Sequence, residues 1–131
     1  MTRRALRENI FRLLFRSEFY DPQDMPEQIS LFGEELEDAN EADRLYITEK
    51  TQAILGMIPE IDAAIDAAAD RWKTSRMGKV ELTVLRLAWY EMKLDDDVPV
   101  SVAIDEAVEL AKRYGQDGAG SFVNAVLAKL V

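Results

Sequence analysis

From one end of this 131-residue chain to the other, apolar residues return every third or fourth position. Nowhere do they settle into the strict alternation of a half-buried strand, so the pattern predicts helices throughout. Thr2 is placed to cap a first helix reaching about residue 19, with Leu6, Ile10, Leu13 and Leu14 on one face, before Asp21-Pro22 ends it. Pro26 suits the first turn of a second helix, which would bury Ile29, Phe32 and Leu36. A third is expected over residues 41–55, using Leu45, Tyr46, Ala53 and Ile54, with Gly56 and Pro59 breaking it. The fourth carries Ile61, Ala64, Ile65, Ala68 and Trp72 at continuous helical spacing. Gly78 precedes a fifth, about 79–93, apolar enough to be central. A sixth spans about 101–114 with Ile104, Ala107, Val108 and Ala111 inward, and Gly115 stops it. The last follows Gly118-Ala119-Gly120, with Ser121 as cap, and buries Val123, Val126, Leu127 and Leu130. The fold class expected is all-α: a compact bundle of about seven helices in one domain over residues 1–131.

Two absences narrow the function. The chain has neither Cys nor His. Disulfides, thiolate nucleophiles and Cys-based metal sites are therefore excluded, as are the usual neutral-pH base and the commonest metal ligand. Carboxylates and Lys remain for catalysis, but no pair of acids stands at a spacing that forces both into one cleft. The expectation is a binding protein with no catalytic residue, metal or cofactor. No apolar run is long enough to cross a membrane, and Arg12 interrupts the stretch 10–15 that a secretory leader would need. A cytoplasmic protein is expected.

Charge is segregated along the chain. Residues 1–16 hold five arginines against Glu8, residues 17–70 hold fifteen acids against Arg44 and Lys50, and residues 71–131 balance. With a net charge of −9, this describes either a basic arm on an acidic body or a solubilising acidic surface behind an Arg-rich helix. Phe11, Phe15 and Phe19 form a stripe bordered by Arg4, Arg7, Arg12 and Arg16. Rings that stack bases beside guanidinium groups that take phosphates suit single-stranded RNA, while the same stripe could simply widen the buried face. Arg86, inside the apolar run 84–88, reads either as an ion-pair partner or as a phosphate contact. Asp95-Asp96-Asp97 lacks the spacing of a calcium loop and reads as solvated. The Gly-rich stretch 115–120 follows no strand, so it is no phosphate-cradling motif, though its backbone N–H groups could meet a ligand.

The C-terminal half carries a denser signal. Residues 81–91 read Glu-Leu-Thr-Val-Leu-Arg-Leu-Ala-Trp-Tyr-Glu, Val98-Pro99 follows, and residues 102–112 read Val-Ala-Ile-Asp-Glu-Ala-Val-Glu-Leu-Ala-Lys. Tyr114-Gly115 and then Phe122-Val123-Asn124-Ala125-Val126-Leu127 complete the order. Together with Arg3-Arg4-Ala5-Leu6-Arg7-Glu8 and Leu14-Phe15, this succession resembles the NusB family of transcription antitermination factors. The resemblance implies a helical fold of two small subdomains and no enzymatic activity. It implies binding of boxA-type RNA on nascent ribosomal RNA together with NusE, the small-subunit ribosomal protein that doubles as a transcription factor, within the RNA polymerase antitermination complex. Arg3, Arg4 and Arg7 would then contact phosphates, Phe15 would lie nearby, Phe122 would sit near the RNA, and Arg86 is a further candidate contact. Glu81, with Asp117 and Gly118 of the 115–121 loop, would meet the basic partner. Gly120-Ser121 and Ala125 depart from the family pattern, so the loop contributes no positive charge.

Three other readings compete. One is a protein–protein adaptor that uses the acidic surface without specific RNA binding. Another is the related helical module of RNA methyltransferases, for whose cofactor domain the 131 residues leave no room. The third is a carboxylate enzyme. The sequence also admits a homodimer that buries the first helix.

Overall fold

A computed structural model describes residues 1–131 as helices joined by short turns, in two compact units, Met1–Gly56 and Met57–Val131. There are seven α-helices and no strand, as the periodicity predicts.

The first unit holds α1 (Arg3–Phe15), α2 (Met25–Glu35) and α3 (Glu41–Leu55). Thr2 caps α1 as expected, its hydroxyl accepting the Ala5 N–H at 3.1 Å. The helix ends four residues before Phe19 because the chain tightens into a 3₁₀ turn at Arg16–Glu18, where Ser17 Oγ donates to the Leu14 carbonyl at 2.7 Å. Asn40 and Asp43 start α3 with reciprocal bonds: the Asp43 N–H donates to Asn40 Oδ1 at 2.8 Å, and the Asn40 N–H to Asp43 Oδ2 at 3.2 Å. Arg44 then reaches back to the end of α2, donating to the carbonyls of Gly33 and Leu36 at 3.0 and 2.9 Å.

Ile10, Phe11, Leu13 and Leu14 of α1 form the core of this unit with Met25, Ile29, Phe32, Ile47 and Ile54. Truncating a fully buried leucine such as Leu13 to Ala costs about 2–5 kcal/mol. The buried face of α3 is Ile47, Lys50, Thr51 and Ile54, which shares only Ile54 with the expected one. Leu45 and Tyr46 lie 50% and 43% exposed, and Ala53 faces solvent as well. The helix offers apolar residues on two sides, and packing against α1 selects the side bearing the β-branched residues. Lys50 is accommodated there by donating to the Tyr46 hydroxyl at 3.2 Å.

The second unit holds α4 (Ile58–Ala68), α5 (Lys79–Leu94), α6 (Val100–Tyr114) and α7 (Ala119–Ala128). Pro59 sits in the first turn of α4, where its missing N–H is harmless, rather than in a break. α5 is central, packing on α4, α6 and α7, and every residue from Leu82 to Ala88 is buried. The apolar spacing of α4 runs on to Trp72, but the helix ends at Ala68 and Trp72 stands 57% exposed beyond it. α7 begins three residues earlier than a Ser121 cap implies, capped by Gly118 at φ +89°, a left-handed conformation that glycine adopts without strain. Ala119 and Gly120 are consequently buried in its first turn, where a Cβ on Gly120 would meet Lys112 Cγ of α6 at 2.9 Å. No helix is long and apolar enough to cross a membrane.

Candidate nucleic-acid interface

The arginines of α1 do not act as one set. Arg3 and Arg4 are exposed in the first turn. Arg7 is buried, with 8% of its surface accessible, because its position falls on the face that carries Ile10 and Leu14 into the core. Arg12 and Arg16 point toward α2, their guanidinium carbons 5.9 and 5.1 Å from the centroid of the Phe32 ring. Arg16 also donates to Gln28 Oε1 at 3.0 Å.

The phenylalanine stripe is graded. Phe11 is 2% exposed and Phe19 is 61% exposed, with Phe15 half-buried between them. Phe11 and Phe15 stack at 5.8 Å with rings 21° apart, and Phe19 meets Phe15 edge-on at 5.2 Å. One end of the stripe is core and the other is open surface.

Of the two readings of Arg86, the ion-pair partner is the one present. Its Nε and Nη2 donate to Asp62 Oδ1 and Oδ2 at 2.9 and 2.8 Å, a bidentate pair with the Arg86 side chain only 10% exposed. The guanidinium is committed to α4 and is not arranged as a phosphate contact.

In the second unit, four candidates distant in sequence converge. Glu81, Asp117, Gly118 and Phe122 line one cleft of about 320 Å³, together with Trp72, Arg76, Met77, Gly78, Gln116 and Ala119. Glu81 occupies the third position of α5, and its carboxylate folds back over Gly78 and Gly115. A Cβ on Gly78 would collide with Glu81 Oε2. One on Gly115 would lie 3.2 Å from Oε1 and 2.7 Å from both the Ala111 carbonyl and Ala119 Cβ. At Gly115 the obstruction is backbone and a helix Cβ, so the space is required, whereas at Gly78 it is the flexible end of Glu81, which can swing aside. Phe122 meets Trp72 edge-to-face, with centroids 6.0 Å apart and rings at 89°.

Trp72 and Arg76 were not singled out by sequence reasoning, which absorbed Trp72 into the apolar face of α4. The available signal was a tryptophan among Arg71, Lys73, Arg76 and Lys79, with no acid between them. Asp95-Asp96-Asp97 is a turn, in which Asp95 Oδ1 accepts the Asp97 N–H at 3.0 Å.

The pattern of residues over the C-terminal helices extends to a whole-chain match: the family model described as the NusB family fits residues 4–131. The chain belongs to the NusB family. This NusB-family chain is 52% identical over 129 residues to the transcription antitermination protein NusB of Agathobacter rectalis, covering 98% of each sequence. It is 46% identical to that of Lachnoclostridium phytofermentans over 131 residues, all of this chain and 99% of the other. Among solved structures, T. maritima NusB superposes with a TM-score of 0.88 at 33% identity, covering 99% of this chain and 90% of that one. A complex of the antitermination factors NusB and NusE with double-stranded RNA contains a chain matching at TM-score 0.85 and 26% identity, over 98% of this chain and 94% of that one. NusB proteins are non-catalytic antitermination factors, and this chain is not an enzyme.

Proposed function

We propose that this NusB-family chain binds boxA-type single-stranded RNA on nascent ribosomal RNA transcripts together with NusE, and thereby helps RNA polymerase resist termination. The observation that carries this reading is the match, over 98% of the chain, to a NusB held with NusE and double-stranded RNA. Arg3 and Arg4 supply exposed cations at the positive end of a helix, where phosphate is favoured. At the other end of the same helix, Phe15 with Phe19 offers rings. In the other unit, Phe122 offers a ring for a base, while Glu81, Asp117 and Gly118 present an acidic wall suited to a basic ribosomal protein.

A net charge of −9 opposes phosphate binding by the chain alone. NusE therefore contributes much of the affinity, and binding falls steeply with salt. The test is fluorescence anisotropy with a boxA-type RNA, a scrambled strand and a duplex, with and without NusE, across a salt series. Preference for the boxA strand, tightened by NusE and weakened in the Arg3→Ala/Arg4→Ala variant, is the expected result. Binding of NusE with no RNA preference at any salt would replace this reading with that of a protein–protein adaptor.

A further inference from the structure

We propose that Trp72 is a base-stacking platform for single-stranded RNA, with Arg71 and Arg76 taking the phosphates on either side of the stacked nucleotide. The proposal deepens the RNA-binding reading above and rests on it.

Three observations carry the proposal. The first is exposure: Trp72 is 57% accessible although it contacts Phe122. A planar indole has two faces, and a single edge-to-face neighbour covers at most one of them.

The second is rigidity. The segment after α4 is not a slack loop, because Asp66 gathers it. Asp66 Oδ1 accepts the Thr74 N–H at 2.6 Å and Oδ2 accepts the Thr74 hydroxyl at 3.1 Å, while Lys73 Nζ donates to the Asp66 carbonyl at 3.2 Å. The Trp72 N–H donates to the Ala69 carbonyl at 2.7 Å, and the Arg76 N–H to that of Lys73 at 2.9 Å. An aromatic ring exposed on a backbone fixed at both sides loses little freedom when a base settles on it.

The third is charge. Residues 71–79 hold four basic groups and no acid, and Arg71 and Arg76 are exposed. The neighbouring cleft wall carries Glu81 and Asp117, which repel phosphate and leave the backbone to the basic rim. A basic rim beside an acidic, aromatic cleft sorts a nucleotide by its parts, with the base against Trp72 and the backbone along the arginines.

The test uses the full chain with NusE and a boxA-type single-stranded RNA. In a Trp89→Phe background Trp72 is the remaining tryptophan, and its emission should be quenched as RNA is added. Trp72→Ala should weaken RNA binding about five- to a hundredfold without changing its salt dependence. Trp72→Phe, which keeps a ring, should stay within about threefold of the parent and guards against misfolding. Arg71→Ala/Arg76→Ala should instead flatten the slope of log affinity against log salt by about 1.4. Unchanged RNA affinity in Trp72→Ala, where Arg3→Ala/Arg4→Ala still weakens it, would overturn the platform and leave the RNA reading standing. Loss of NusE affinity alone in Trp72→Ala would make the residue a protein contact and also overturn it. Absence of any RNA binding by the parent with NusE at low salt would remove both.

Discussion

The guanidinium of Arg86 on α5 grips the carboxylate of Asp62 on α4 through two parallel hydrogen bonds of 2.9 and 2.8 Å. Removing either partner leaves a charge largely shut off from water, which costs far more than the net worth of the pair. Asp62 keeps some solvent contact, its side chain being 23% exposed, so Arg86→Ala should destabilise the chain by about 2–4 kcal/mol in urea denaturation. Arg86→Lys should fall between, since a lysine cannot supply the planar fork. A structural role further predicts unchanged RNA affinity for Arg86→Lys at temperatures where it stays folded. Weakened binding with unchanged stability would return Arg86 to the interface.

Gly118 tests a purely conformational requirement. Its φ is +89° and a Cβ there would meet nothing within 4 Å, so any penalty comes from the backbone alone. Gly118→Ala should lose about 1–2 kcal/mol, and Gly118→Asn less, because asparagine tolerates the left-handed region. Thermal denaturation of the two variants gives the order. An alanine variant as stable as the parent would mean that α7 can start by another route.

The exposed arginines should separate from the buried one. Arg3→Ala/Arg4→Ala should leave the melting temperature nearly unchanged while flattening the RNA salt slope by about 1.4, one phosphate contact being worth about 0.7 on single strands. Arg7→Ala should do the reverse, lowering stability with little change in slope, because Arg7 is buried. Equal slope changes for Arg7 and Arg3 would place all three side chains on phosphate.

A hydrogen bond from the N-terminal ammonium to Asp43 Oδ2 at 3.1 Å, aided by the Asn40 N–H and the charge of Arg44, holds the Asp43 carboxyl below the usual carboxylate range. A carboxyl with a depressed folded-state pKa stabilises fully above its ordinary value, and that contribution is lost as pH falls through the depressed one. Asp43→Asn, which keeps an oxygen for the Asn40 N–H, should therefore be less stable than the parent at neutral pH. The two should converge in acid, as followed by denaturation across pH. A difference that persists at low pH would assign the effect to something other than this charge.

Much of the candidate interface was legible, but not evenly. Arg3 and Arg4 were readable because a first-turn residue ahead of the apolar stripe is exposed in nearly any packing. Arg7 was not, since a long side chain on the edge of a buried face can be drawn inward by its neighbours. Glu81, Asp117, Gly118 and Phe122 were each found through family resemblance, yet only the packing of α5, α6 and α7 brings them to one cleft. Trp72 was misplaced because helical spacing persists in a sequence past the point where the helix itself stops.

The sequence by itself determined that the chain forms seven helices, that Thr2 begins the first, and how charge divides between a basic start and an acidic middle. These are properties of neighbouring residues, set by backbone periodicity, local capping bonds and composition. Tertiary structure alone decided which of two apolar faces of α3 is core, that Arg7 is drawn out of solvent, that Arg86 belongs to Asp62, and that Trp72 meets Phe122. Each of those outcomes depends on what another helix presents at a distance in sequence that no local pattern encodes.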